Sequence, residues 1–322
     1  MSIFCPFCLV EHELEGDKRN ECKKGDKINT LPQTYIKAVQ RGAAVYPIAV
    51  IGYTGCGKTT YLSSFIYALY HKLPREWFSI LVLNQQTIDK IEKDYIPFLR
   101  RGNFPPQTAR FFEEPLILKL TIPEKKLNVI KSKREVILVI YDTKGGNYDS
   151  VDTIKDNFPL IKLIPNLVLL ADLYSMCTET IEISADMKLH SLANKLTLAL
   201  DELDAPMKKK NLIVCFTKTD KFWDMKGAKE DFGPLSHSPL EPKSDLKSYG
   251  KEEIYKASEA IQVFIKEKYN NFFEVIDEHY GGYCFVASSN IGCCQVNDTG
   301  STFCGEYSPL GVVDPLLWLL NI

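Results

Sequence analysis

The chain has 322 residues, 45% of them hydrophobic, with 39 Lys+Arg against 41 Asp+Glu. That length holds one large α/β domain plus a small appendage, and the apolar content excludes overall disorder. A net charge of -2 excludes a global field that would draw the whole protein onto nucleic acid or an anionic membrane.

The opening Met1-Ser2-Ile3-Phe4-Cys5 lacks the charged and apolar regions of a secretory signal, and no apolar run approaches the ~20 residues of a membrane span. A soluble cytoplasmic protein is expected, with its ten cysteines reduced. Residues 1–40 read as a zinc-ribbon or knuckle-like element. Cys5-Pro6-Phe7-Cys8 has the spacing at which two thiolates grip one ion, and Cys22 is a third ligand candidate. Gly25 stands where a fourth Cys would complete a ribbon, which leaves His12 or Asp26 for that place. A thioredoxin-like redox pair and a metal-free ribbon are the rival readings.

Residues 41–322 read as one α/β domain. Strands are expected at Tyr46–Ile51, Phe78–Leu83, Leu116–Ile122, Glu135–Tyr141, Leu167–Leu170, Leu212–Phe216 and Tyr283–Ala287. Between them lie helical stretches at Thr60–His71, Thr87–Arg100, Val151–Leu163, Met187–Leu203 and Glu252–Tyr269. Alternation of this kind predicts an α/β fold with a mostly parallel, doubly wound sheet, which the glycine loop Gly52–Thr59 makes a P-loop NTPase sheet. Residues 221–249 look like a surface insertion, and 312–321 like a C-terminal capping helix.

Gly52-x-x-x-x-Gly57-Lys58-Thr59 follows an apolar strand and opens an amphipathic helix, the context that a phosphate-binding loop requires. Its glycines let consecutive N–H groups face phosphate oxygens. Gly52, Gly55, Cys56, Gly57, Lys58, Thr59 and Thr60 are the candidate phosphate-binding residues. Lys58 would bring a point charge to the β- and γ-phosphates, and Thr59 a hydroxyl to Mg²⁺.

The apolar run Glu135–Tyr141 ends in Asp142, and Thr143-Lys144-Gly145 completes an Asp-x-x-Gly pattern. There Asp142 would hold Mg²⁺ and the Gly145 amide would sense a γ-phosphate. The strand Leu212–Phe216 runs into Thr217-Lys218-Thr219-Asp220. A carboxylate at Asp220 can accept from guanine N1–H and its exocyclic amine, donors that adenine lacks. Lys218 would lay its stem over the base with its head in water.

The four segments in this order resemble the motifs of translation-factor-related and Ras-like GTPases, with Ser288 and Ser289 in the loop whose amide meets guanine O6. More closely, the chain resembles prokaryotic double-GTPase families of conflict and defence systems. The carriers are the tail Gly311-Val312-Val313-Asp314-Pro315-Leu316-Leu317-Trp318-Leu319-Leu320 and the N-terminal Cys-Pro-x-Cys element. That tail is read as a cap on the domain's own core, with a partner-binding or membrane-touching helix as the rival. The resemblance implies GTP or GDP with Mg²⁺, while the cysteine spacing points to Zn²⁺ on Cys5, Cys8 and Cys22 with His12 or Asp26 as the fourth ligand. The resemblance also implies a protein partner or effector, and Thr108 as the switch threonine on Mg²⁺.

Two departures stand out. Thr217 replaces the usual Asn, which removes an amide that braces the phosphate loop. Gly146 replaces the water-orienting Gln, so hydrolysis is slow, borrows a group from a second copy in a nucleotide-dependent dimer, or uses another residue of this chain. An adaptor that binds GTP without turnover and a P-loop ATPase are the alternative functions.

Overall fold

The computed structural model describes residues 2–13, 21–24, 27–73, 78–105, 114–125, 131–143, 148–172, 174–175, 185–223, 251–292, 295–296, 302–304 and 307–321. Two short antiparallel hairpins come first, β1 (Ser2–Phe4) with β2 (Glu11–Glu13) and β3 (Glu21–Lys24) with β4 (Lys27–Thr30). Pro32 then starts helix α1 (Gln33–Gln40), which buries Tyr35, Ile36 and Ala38.

Apart from a short antiparallel pair, Gln295–Val296 with Phe303–Cys304, the remaining strands build one sheet: β5 (Ala44–Ile51), β6 (Ser79–Val82), β7 (Leu116–Lys125), β8 (Lys131–Asp142), β9 (Asn166–Asp172), β10 (Asn211–Thr217) and β11 (Gly282–Ala287). Their order is β11-β10-β9-β5-β8-β7-β6, with β7 antiparallel to both its neighbours and the other pairings parallel. The fold is thus the expected mostly parallel P-loop sheet.

Alternate side chains along each strand enter opposite layers. Ala49, Ile51, Val139, Tyr141, Leu167, Leu169, Val214 and Phe216 face one core, together with α1, α5 (Val151–Asn157), α6 (Ala185–Glu202) and part of α8 (Lys251–Lys268). Ile48, Val50, Leu138, Ile140, Val168, Leu170 and Ile213 face the other, against α2 (Lys58–His71) and α10 (Asp314–Leu320). Helices on both faces explain why these strands are apolar throughout rather than alternating.

The tail helix α10 buries Leu316, Leu317 and Leu320 against α2 and the sheet, a gross contribution of roughly 5–9 kcal/mol. Among the described residues, no helix is long and apolar enough to cross a membrane.

Local chemistry shifts several boundaries. The stretch expected as a helix over Val151–Leu163 is α5 followed by a 3₁₀ turn, Pro159–Leu163, because Pro159 lacks the N–H that would continue the α-helix. The stretch Thr87–Arg100 is α3 (Gln85–Asp89), a π-helical turn over Lys90–Tyr95, and α4 (Ile96–Arg100). The widened turn lies just before Pro97, whose ring would clash with the carbonyl four residues back in a regular helix. Short helix α7 (Thr219–Trp223) follows β10, and α9 (Asn270–His279), absent from the sequence reading, buries Phe272, Phe273, Val275 and Ile276.

The N-terminal segment also differs from expectation. It lacks long apolar periodicity, yet Ile3, Cys5, Phe7, Leu9 and Cys22 are buried in the same core as α1 and β8.

Candidate functional site

β5 lies between β8 and β9, so the loop after it opens at the carboxyl end of the sheet where the connections diverge, the usual place for a ligand crevice. Register puts four more strand ends beside it. Val50 pairs with Asp142, Ile51 with Leu169, Thr217 with Asp172, and Phe216 with Ala287.

Gly52, Gly55 and Gly57 all have positive φ. At Gly52 a Cβ would come within 2.7 Å of Cys56 Sγ and 2.8 Å of the Leu170 carbonyl, so no other residue fits. Gly57, at φ +88, caps α2, and a Cβ there would press on Asn290 Nδ2 at 3.3 Å. Lys58 turns back into the loop, where its Nζ donates to the carbonyls of Gly52 (2.6 Å) and Tyr53 (3.0 Å). Thr59 and Thr60 follow in the first turn of α2, and the Thr60 carbonyl accepts from Ser64.

Three further segments close on this loop. Thr217 Oγ1 donates to the Cys56 carbonyl at 3.1 Å, so the bracing expected to be lost with Asn is supplied by the threonine hydroxyl. Ser64 Oγ donates to the Asn290 carbonyl at 2.7 Å, which ties the loop after β11 to α2. Ser289 Oγ donates to Asp220 Oδ1 at 2.6 Å, and the Ser288 N–H and carbonyl bond to Phe216 and Thr219. Burial pushes the Asp220 carboxyl above its ordinary range, and the Ser289 bond opposes that rise. Thr219 Oγ1 is buried with no hydrogen-bond partner among the described residues.

Lys218, at φ +57, departs from the sequence reading. Its head is not left to water but forms an ion pair with Asp172, a carboxylate only 1% exposed at the end of β9. Asp172 also accepts from the Ser175 N–H (3.0 Å) and hydroxyl (2.6 Å).

Asp142, at the end of β8, is buried, and its Oδ2 lies 3.3 Å from Lys90 Nζ. The neighbouring Thr143 hydroxyl donates to the Val50 carbonyl, holding β8 and β5 level. Thr108, Lys144, Gly145 and Gly146 lie outside the described residues.

The chain's own groups fit a magnesium nucleotide. A glycine cradle that a Cβ would fill, an ammonium at its centre, and hard oxygen donors at Thr59 and Asp142 are the donor types such a ligand takes.

Across the sheet, Cys5, Cys8, Cys22 and His12 bring their ligand atoms within 4.8 Å of one another. Zn–S bonds of ~2.3 Å put tetrahedral ligands ~3.8 Å apart, so three thiols and an imidazole at this spacing suit Zn²⁺. Cys8 Sγ lies 2.8 Å from His12 Nε2, whereas Asp26, the rival fourth ligand, lies outside the described residues. Tyr35 and Tyr141 donate to the carbonyls of Phe4 (2.7 Å) and Pro6 (2.5 Å), joining this element to α1 and β8.

Sequence reading missed Asp172, Lys90 and Asn290 as members of the loop cluster. Asp172 carries the same signal as Asp142, an apolar strand ending in a carboxylate; Asn290 directly follows Ser288 and Ser289 in the loop after the last strand, and Lys90 has no local signature.

No known family profile matches the chain, and no curated protein sequence matches it. Among solved structures it is similar to the signal recognition particle receptor SRb-GTP/SRX complex from Chaetomium thermophilum, with 12% identity over 78% of this chain and 93% of that chain, at TM-score 0.34. It is also similar to Toc33 from Arabidopsis thaliana, with 13% identity over 90% and 92% and TM-score 0.32. A third is the Ski7 GTPase-like domain of S. cerevisiae, bound to GDP and inorganic phosphate, with 13% identity over 89% and 51% and TM-score 0.38.

Proposed function

We propose that this protein binds GTP with Mg²⁺ and acts as a nucleotide-dependent switch that hydrolyses it slowly or with help from a partner. The observation that carries this reading is the convergence of three motif segments on one end of the sheet, where strand register also brings Asp142. Thr217 bonds the phosphate loop, Asn290 bonds α2, and Ser289 bonds Asp220, so one ligand can touch all of them.

In this reading the loop amides from Gly52 to Thr59 and the Lys58 ammonium grip the phosphates, aided by the N-terminal end of α2. Asp220 reads the purine edge, Ser288 and Ser289 shape the floor near guanine O6, and Lys218 covers the base while Asp172 fixes its head. Thr59, Asp142 and Thr108 hold the metal, which when bound neutralises phosphate charge. Gly145 senses the terminal phosphate from the segment after β8. With no side chain at Gly146, this chain supplies no water-orienting amide there.

Cys5, Cys8, Cys22 and His12 hold zinc as a structural clamp. A role in a bacterial defence system, with a protein effector, rests on the motif order and the two terminal elements.

Titration calorimetry with GTP and ATP tests the reading. Lys58→Ala abolishes binding by removing the loop's ammonium, and Asp220→Asn selectively weakens GTP. Unchanged GTP affinity in both variants contradicts it.

A further inference from the structure

Lys90 opens the π-helical turn between α3 and α4 and reaches the end of β8, with its Nζ 3.3 Å from Asp142 Oδ2. Neither side chain stands in bulk water, at 15% and 2% exposed. Asp142 pairs with Val50, two residues before Gly52, so this ammonium is a close neighbour of the phosphate loop. Its Nζ also lies 5.6 Å from the centre of the Tyr95 ring, within the same turn.

A buried ion pair is a weak source of stability, because desolvating both charges offsets their attraction. Pi-turns are rare and cluster at functional positions. Both features direct attention to what else this cation can do. Lysine is a compact charge on a flexible four-carbon stem, able to swing between two nearby anions without moving its backbone. A dication on Asp142 would repel an ammonium this close, and a terminal phosphate would offer that ammonium a new anion.

Resting on the nucleotide reading above, we propose that Lys90 is the residue by which this chain distinguishes a triphosphate from a diphosphate. Its ammonium leaves Asp142 for a γ-phosphate oxygen when a magnesium triphosphate is bound, and finds no such anion when the nucleotide ends at the β-phosphate. This gives the segment inserted between α2 and β7 a function, since that segment delivers the charge.

The test is titration calorimetry of the full chain with GDP and with a non-hydrolysable GTP analogue, in Mg²⁺ and in EDTA. Lys90→Met lowers the preference for triphosphate in Mg²⁺ by about tenfold or more, the range of a charge-assisted hydrogen bond, with GDP affinity held within about threefold. Lys90→Arg keeps most of the preference. In EDTA the difference between wild type and Lys90→Met shrinks, because the carboxylate retains the ammonium. Should Lys90→Met unfold, Lys90→Gln carries the same expectation.

An unmoved preference in Lys90→Met, accompanied by tighter Mg²⁺ binding, overturns the inference and leaves Lys90 as a neutralising partner of Asp142. Wild-type protein that binds neither nucleotide overturns the nucleotide reading as well, so the two failures are distinguishable.

Discussion

At the scale of single residues, the carboxylate of Asp220 sets the pH dependence of the site. To accept from guanine N1–H it must be ionised, and burial raises its pKa above the ordinary carboxylate value. GTP affinity therefore falls on acidification at a higher pH than an exposed carboxylate would allow. Calorimetry between pH 4 and 7 checks this, with Asp220→Asn losing the dependence. Asp172→Asn leaves Lys218 without its carboxylate, and GTP affinity drops about tenfold, as for loss of a charge-assisted bond. An unaltered affinity would mean that Lys218 needs no anchor. Asp142 and Asp220 were legible because each sits at or just past the end of an apolar run. Lys90 was not, since its contact with Asp142 spans 52 positions and depends on where an inserted helix lies.

At the scale of elements, the N-terminal hairpins and β8 are coupled. Cys5 and Cys22 are fully buried, and the Tyr141 hydroxyl, one residue before Asp142, bonds to the Pro6 carbonyl between the two knuckle cysteines. Elemental analysis of the purified full chain is expected to find about one zinc per molecule, and Cys22→Ser to lose it together with several degrees of thermal stability. Zinc retained in Cys22→Ser would remove that residue from the ligand set. Tyr141→Phe costs about 1 kcal/mol, the net value of one such bond, measurable by urea unfolding. The cysteine spacing was visible in the sequence. The burial of Ile3, Phe7 and Leu9 against the main core was not, because three-residue strands leave no periodicity to read. Helix α9 escaped because it follows α8 after the single residue Tyr269, where the expected helix ended.

At the scale of the molecule, the sheet was the most legible feature. Strands buried on both faces must be apolar throughout, which made the inner strands plain, and all seven expected strands lie in one sheet, with edge strand β6 partly exposed. The same burial shapes alkaline stability. The thiols of Cys215 and Cys284 are raised to about 12 by burial, while in the unfolded chain they ionise near 9. Their contribution is fully present below pH 9 and lost as pH rises toward 12, because the unfolded state alone gives up its protons. Each accounts for up to about 1.4 kcal/mol per pH unit in that window. Lys210, lowered to about 8 by burial, works the other way with a single proton. Stability measured under reducing conditions therefore falls from pH 9 upward, and the double variant Cys215→Ala/Cys284→Ala flattens the slope.

The whole account turns on one ligand spanning the glycine loop and Asp220. The most direct test is to measure GTP, ATP and xanthosine triphosphate affinities of wild type and Asp220→Asn in Mg²⁺. Xanthine carries a carbonyl where guanine carries its amine, which an asparagine amide can meet and an aspartate cannot. The expected result is wild-type preference for GTP and a switch to the xanthosine nucleotide in Asp220→Asn. Equal ATP and GTP binding by wild type, or an unmoved preference in the variant, would contradict it.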